Sequence, residues 1–455
     1  MGTVGLNFGP INSGQGFDVA STVSQILAAE QAVEDPWKAQ LSTLQAQDTA
    51  LSKMGTDLAS LSTAMQALTD FNGVFASKQG ASSDTNVVEL TSASNLAVAG
   101  SHTVVVNSLA QTSSQYSDLI TNSADTLTGS LTVTIGGQSQ SLNVSGQTLS
   151  QLAASINGAS MGVAASVVTD TTGSRLSLVS RTSGAAGQIS LTASLTDDAT
   201  STAIGFQQGM QGLDASLTVD GLNTTSASNT VTGLIPGVTF QILAVSANPS
   251  VPVQVQITND NTSIEQAFGK FVSAYNAVAD DIKTQEGKDS TGKPEPLFGD
   301  PTVALIQNQL SQGLLTGAAS GSIKSLSQLG ITVDQTGHLT IDGGTLDSAL
   351  NSSFSDIQGF FQNANSFGQT FNSTLNGLSS TSMNGAVYLA LNQNSSQEDT
   401  LHQNISNQEQ RIADDKSRLT DQLNSANQIL QALPDQLNQI NQLYSAITGY
   451  NSTGQ

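Results

Sequence analysis

The stretch WKAQLSTLQAQDTALSKMGTDLASLSTAMQAL, residues 37–68, decides how this chain folds. Trp37, Leu44, Leu51, Leu58 and Met65 recur every seven residues, and Met54, Leu61 and Leu68 form a partner row three residues on. A seven-residue apolar repeat lays a narrow stripe along an α-helix, and that stripe must be covered by another helix. The far end of the chain carries the same signal. There Ile405, Ile412, Leu419, Ala426, Leu433, Ile440 and Ile447 keep one register, and Leu423, Leu430, Leu437 and Tyr444 add a second row four residues on. Between the two seams the pattern is mostly of short strands and turns. The reading is an α+β multidomain chain, with terminal α-helical coiled-coil segments at both ends flanking inserted β-rich domains. Helices of this kind at both termini suit a protein built for assembly.

Around these seams the local signals are clear. Asp18 is placed to cap a first helix over 18–32, with Val19, Val23, Ile26 and Leu27 on one face. Pro36 is expected to restart a helix at its first position, where a missing N–H costs nothing, and Asn72-Gly73 to stop it near Phe71. From 75 to 109 the period changes to two, as at Val104 and Val106. Residues 130–195 read as hairpin, helix, hairpin: Leu131, Val133 and Ile135 turn at Gly136-Gly137 into Leu142 and Val144. A helix follows at Leu149, Leu152 and Ile156, then strands at 163–168 and 176–179 around a Thr172-Gly173 turn. Strands return at Leu217 and Val219, 238–245 and 251–257, with Pro236 and Pro249 at turns. Ile264, Phe268, Phe271, Val272 and Tyr275 mark a helix over 262–283. A polar loop (286–296), a helix (301–315), a hairpin (331–341) and two short helices (346–350, 354–361) lead to the C-terminal helical region. Pro434 should kink or locally break that region, because a mid-helix proline costs ~3 kcal/mol.

The expected division is a helical leg at 1–72; a helix-plus-strand core from 73–125 and 260–383; an inserted β-α-β module at 126–212; a β-rich segment at 213–259; and a helical leg at 384–455. Several domains are expected of 455 residues, at about 150 each. Formal charge is −22, yet only 11% of residues are charged, against about 25% in typical globular chains. Ser, Thr, Asn, Gln and Gly must supply the polar surface. The acidic balance excludes nucleic acid as partner, since phosphate binding needs clustered Lys and Arg. With no cysteine, disulfides, thiolate metal sites and Cys nucleophiles are excluded. No stretch reaches the ~18 apolar residues of a membrane span. Met1 to Gly16 holds neither the basic residue nor the apolar run of a cleaved leader.

Candidate chemistry is thin. Gly287-Lys288-Asp289-Ser290-Thr291-Gly292-Lys293 matches half of a phosphate-binding loop, but Pro294 stands where a Ser or Thr must follow, and no buried strand precedes it. His102, His338 and His402 have no ligand spacing. Asp334 and Asp342 flank a Gly337 turn without the calcium-loop pattern, so turn chemistry explains them. No nucleophile elbow is present. The expectation is no enzyme, no catalytic residue, no metal and no cofactor. The charges from Glu409 to Asp421 read as a solvated helix face. Trp37, the single tryptophan, is open to two readings, an inter-subunit anchor or ordinary helix packing.

Several segments in order resemble the bacterial flagellar filament cap family, also called flagellar hook-associated protein 2. They are Gly16-Phe17-Asp18-Val19 with 23–30; 213–221 with Ser228-Asn229-Thr230-Val231 and Gly237-Val238-Thr239-Phe240; Phe271-Val272-Ser273-Ala274-Tyr275-Asn276; Gly299-Asp300; and 329–332 with 337–342. Within 130–195, Ile156-Asn157 and 162–167 look like the insertion motif of flagellins and hook-associated proteins. Phe17, residues 33–37, the Asn- and Gln-rich C-terminal end and Pro434 depart in detail.

The resemblance implies a homo-oligomeric lid at the tip of the growing filament that helps flagellin insert and polymerise and keeps monomers from escaping. It also implies export through the flagellar type III route, and flagellin, hook–filament junction proteins and an export chaperone as partners. The terminal helices would then pack on each other as one leg. The different reading is a surface adhesin or another axial protein sharing these domains.

Overall fold

The computed structural model describes residues 16–317 and 321–448. In chain order, helices α1 (Val19–Gln31) and α2 (Glu34–Thr69) precede strands β1 (Lys78–Ser82), β2 (Val88–Ala93), β3 (Gly100–Ser108), β4 (Thr112–Ser117), β5 (Thr126–Ile135) and β6 (Gln138–Thr148). Helix α3 (Leu149–Gly158) leads to β7 (Val163–Asp170), β8 (Gly173–Ser183), β9 (Ser190–Asp197), β10 (Ala203–Ile204) and β11 (Phe206–Met210). Then come β12 (Ala215–Val219), β13 (Leu222–Ser226), β14 (Thr230–Thr232), β15 (Val238–Ile242) and β16 (Val253–Asn259). The chain continues through α4 (Asn261–Gln285), α5 (Pro301–Leu314), the hairpin strands β17 (Ile331–Val333) and β18 (Leu339–Ile341), α6 (Gly343–Gln362), α7 (Phe367–Leu378) and α8 (Ala386–Thr448). It divides into two units, one of residues 1–69 with 267–455, the other of residues 70–266.

Unit 70–266 holds two β cores. In the first, a five-stranded sheet β1-β16-β3-β12-β13 and a three-stranded sheet β14-β15-β2 bury Val88, Val104, Val106, Leu217, Phe240 and Val255. The alternation is plain in β16, where Val253, Val255 and Ile257 are buried and their neighbours exposed. In the second, sheets β10-β9-β5-β6 and β11-β4-β8-β7 enclose Leu131, Val133, Leu152, Ile156, Leu176 and Leu178 with α3. A capping box of Thr148 and Gln151 starts α3.

These pairings correct the expected division. Strand β3 is hydrogen-bonded on one side to β12 and on the other to β16. The strands of 78–108 therefore share a core with 213–259, not with 260–383. Antiparallel ladders satisfy both edges of β3, and the sequence pattern gave no sign of which strands would do it. The inserted module also reaches outside 126–212, because β4 lies between β8 and β11. Its second hairpin turns at Thr171-Thr172, with Asp170 opposite Gly173, rather than at Thr172-Gly173.

The other unit is helical apart from the β17–β18 hairpin among the described residues. Its core carries Phe268, Phe271, Phe360, Phe361, Phe367 and Phe371, with ring centroids 5.0 to 5.9 Å apart along the cluster. Asp18 caps α1 by accepting from the Ser21 N–H at 3.1 Å. Helix α2 begins at Glu34, two residues before Pro36, and Pro36 still falls in the first turn, where amides have no helical partner. The two short helices expected at 346–350 and 354–361 are the two halves of α6, which meet at a kink where Ser353 is non-helical. Helix α7 lies in a stretch the sequence reading passed over, although Phe367, Phe371, Leu375 and Leu378 have helical spacing and are buried. The legs are not separate from the remaining helices: α2 packs on α6, α7 and α8. Helix α8 runs on through Pro434, so of the kink or local break expected there, the break does not occur. The reading of Met1 to Gly16 falls, but for Gly16, outside the described residues.

Candidate assembly interface

The N-terminal seam is covered within the chain. Leu44, Leu51, Met54, Leu58, Leu61, Met65 and Leu68 are all buried, in a helix whose neighbours are α1, α6, α7 and α8. Gly55 permits the close approach, since a Cβ there would stand 2.8 Å from the Ser380 side chain. Asn394 of α8 donates its amide N–H to Asp48 Oδ1 of α2 at 2.7 Å. Trp37 is half-buried near the start of the seam.

Helix α1 covers the middle of α8 in antiparallel sense. Gln408 Nε2 donates to the Glu30 carbonyl at 3.3 Å, and the Phe17 N–H donates to Asn427 Oδ1 at 2.9 Å. Between these ties Val23, Leu27 and Ile412 form a buried cluster, with Val19, Leu419 and Leu423 packed against it. Ile405 is buried one heptad before Ile412. The buried Glu34 carboxylate accepts from Lys38 Nζ at 2.6 Å. That bond holds the Lys38 ammonium above its ordinary pKa.

A second charged group ties α2 to α4. Lys53 Nζ donates to Asp57 at 2.9 Å and to Asp281. Burial pushes the Asp281 carboxyl upward, and its hydrogen bond with Asp57 works the same way. Burial opposes ionisation of Asp57 too, but hydrogen bonds from Asp281 and Lys53 leave it below the ordinary value. Two carboxylates this close cannot both ionise cheaply, so one keeps its proton longer.

Beyond Asn427 the cover thins. Leu430 and Leu433 are half-buried. Leu437 is 43% exposed, Ile440 63%, Tyr444 61% and Ile447 76%. The sequence-predicted residues therefore grade from those of α2 and α8 up to Leu423, which the fold brings together, through the half-buried Leu430 and Leu433, to those from Leu437 onward, which it leaves on the surface. Ile429 and Leu443, exposed as well, were missed. They lie off the two heptad rows but fourteen residues apart, and that spacing was the available signal. The distal stretch 436–447 contains no Asp, Glu, Lys or Arg. It offers an apolar helical face and no reacting group.

The remaining candidates are turn chemistry. Asp289 accepts from the Thr291 and Lys293 N–H groups at 2.8 and 2.9 Å, closing the loop that resembled a phosphate site. Asp334 accepts from the Thr336 and His338 N–H groups at 2.7 and 3.0 Å, around Gly337 at φ +87°. Asp342 caps α6. His102 pairs with Asp220 at 2.7 Å and His338 with Asp280 at 2.8 Å. No helix among the described residues is long and apolar enough to cross a membrane.

Three family models match the chain. Flagellar hook-associated protein 2 N-terminus matches residues 15–113, flagellin hook IN motif residues 130–182, and flagellar hook-associated protein 2 C-terminus residues 212–445. B-type flagellar hook-associated protein 2 of Pseudomonas aeruginosa is 30% identical over 342 residues, covering 69% of this chain and 72% of that one. Flagellar hook-associated protein 2 of Escherichia coli K12 is 28% identical over 370 residues, covering 76% and 78%. Among solved structures, the D1-D2-D3 domains of the flagellar cap protein FliD from Escherichia coli superpose with TM-score 0.61 and 26% identity. That match covers 76% of this chain and 99% of the other.

Proposed function

From its membership of the flagellar hook-associated protein 2 family, to which this chain belongs, we infer that it is a structural cap at the distal end of the bacterial flagellar filament. It promotes flagellin insertion and polymerisation and prevents the loss of flagellin monomers. The observation that carries this is the match of family models to both the N- and C-terminal parts of the chain. No observation favours the adhesin reading.

The finer mechanism is our reading of the helices. The buried part of the two seams, from Leu44 to Leu68 and from Ile405 to Leu423, holds the leg together within one subunit. The exposed end of α8, from Ile429 to Ile447, is the surface that assembly covers, because a seam of this length is unfavourable in water. We take the working form to be a homo-oligomer. It reaches the tip by flagellar type III export with the help of a chaperone, and it meets flagellin and hook–filament junction proteins there. Capping needs no bond to be made or broken, only contacts that re-form as each subunit is added.

Deletion of the gene should leave short or absent filaments, with flagellin monomer accumulating in the medium. Removal of residues 436–455 alone, which spares the buried part of α8, should give the same phenotype. Filaments of normal length in the truncated strain would overturn the role given to the exposed seam.

A further inference from the structure

We propose that the exposed end of α8 is received, in the assembled cap, by an apolar groove on a second copy of this chain, formed by α4, α5 and the β17–β18 hairpin. This rests on the reading that the exposed seam is an assembly surface, and it names what covers that surface.

The groove has a volume of about 480 Å³. Tyr275 and Ile282 of α4, Leu310 and Leu314 of α5, the following Leu315, and Val333 of the hairpin supply its apolar wall. Leu315 is 86% exposed at the groove's edge, and Val333 is exposed beside it. Single exposed apolar residues are ordinary, but a concave apolar site rimmed by polar groups marks a place where something binds. The groove is held in shape from behind. Asn276 of α4 donates to the Leu339 carbonyl at 2.9 Å and accepts from the Leu339 N–H at 2.7 Å, which fixes the hairpin against α4.

Charge selects the occupant. The chain carries −22 overall, so contact between two copies costs least where neither facing surface adds charge of its own. The groove's charged rim consists of Lys283 and Glu286, one of each sign. Residues 436–447 carry no charged side chain. Ile440, Leu443 and Ile447 lie at i, i+3 and i+7, the spacing by which an amphipathic helix anchors in a groove. Groove and helix are different surfaces of one chain, so the contact is head-to-tail, the kind that closes into a ring when the rotation permits. A ring is the form a lid at the end of a tubular filament requires.

The chain has no cysteine, so single cysteines can be introduced without competing thiols. Leu315→Cys and Leu443→Cys are both at exposed positions and should leave the fold intact, as circular dichroism will check. Under mild oxidation, a mixture of the two full-length variants should give a disulfide-linked dimer. Leu443→Cys alone, and its mixture with Leu222→Cys at an exposed site in the other unit, should give none. Leu315→Asp should shift the natural assembly to lower mass in light scattering, and Leu443→Asp should do the same. Two results would overturn the groove while leaving the seam as an assembly surface. They are self-linking of Leu443→Cys, which means that α8 pairs with α8, and loss of assembly with Leu443→Asp but not with Leu315→Asp. Assembly unchanged by both aspartates would overturn the groove and the seam together.

Discussion

Replacing Pro434 by alanine should tighten the end of α8 and little else. Proline has no N–H to offer the Leu430 carbonyl, and its ring crowds that carbonyl, a cost of ~3 kcal/mol in a helix interior. The helix nevertheless runs from Ala386 to Thr448. The part beyond the proline, Asp435 to Thr448, is roughly 20 Å long at 1.5 Å per residue. Isolated helices of that length, about 12–15 residues, are marginal in water. Packing adds little here, because Leu437, Ile440, Leu443 and Ile447 are exposed. The opening of this segment is thus governed by the local helix term, from which Pro434→Ala removes the penalty. At 1.36 kcal/mol per decade, ~3 kcal/mol is roughly a hundredfold change in the opening equilibrium. Amide hydrogen exchange on the full chain reads it directly. Protection over residues 437–447 should rise by about two decades, while that of the buried stretch 401–412 should not change. Equal protection in the two proteins, or a rise shared by 401–412, would refute the reasoning. The first would mean that the proline is not a weak point, the second that its effect is global.

Two further outcomes follow from the same geometry. Leu58, 1% exposed in the buried seam, should cost about 2–5 kcal/mol on replacement by alanine, whereas the exposed Ile440 should cost nearly nothing. Urea unfolding of the two variants checks this, and equal losses would contradict a seam buried at one end and bare at the other. The third concerns pH. Asp281 has a folded-state pKa above the ordinary 3.8, so its contribution to stability is present below that value and is lost as pH rises through the raised one. Asp281→Asn stays neutral, so its stability relative to the natural chain should improve as pH climbs past 3.8. A relative stability that falls over that range would reverse the assignment of the shared proton to Asp281.

Much of the architecture was legible because it depends on local patterns. Seven-residue spacing marked α2 and α8, alternation marked β5 and β6, and Asp18 stands where α1 begins. The misreadings of the domain division concern which element meets which. Nothing in residues 73–125 says that β3 will take β12 and β16 as neighbours, because backbone hydrogen bonds carry no sequence label.

By itself the sequence determined the two apolar seams, the strand-rich interior, the acidic and weakly charged surface, and, through its quoted motifs, the family resemblance. A heptad stripe states the need for cover, since burying Leu and Ile from water is favourable wherever the cover comes from. It does not say whether that cover belongs to the same chain. Only the tertiary structure decided that α2 is buried by its own chain's helices, that α1 ends its cover of α8 at Asn427, and that the same register then continues bare to Ile447. The physical reason is length: α1 reaches only part of the way along a much longer α8, and the seam that remains must find its cover outside α1.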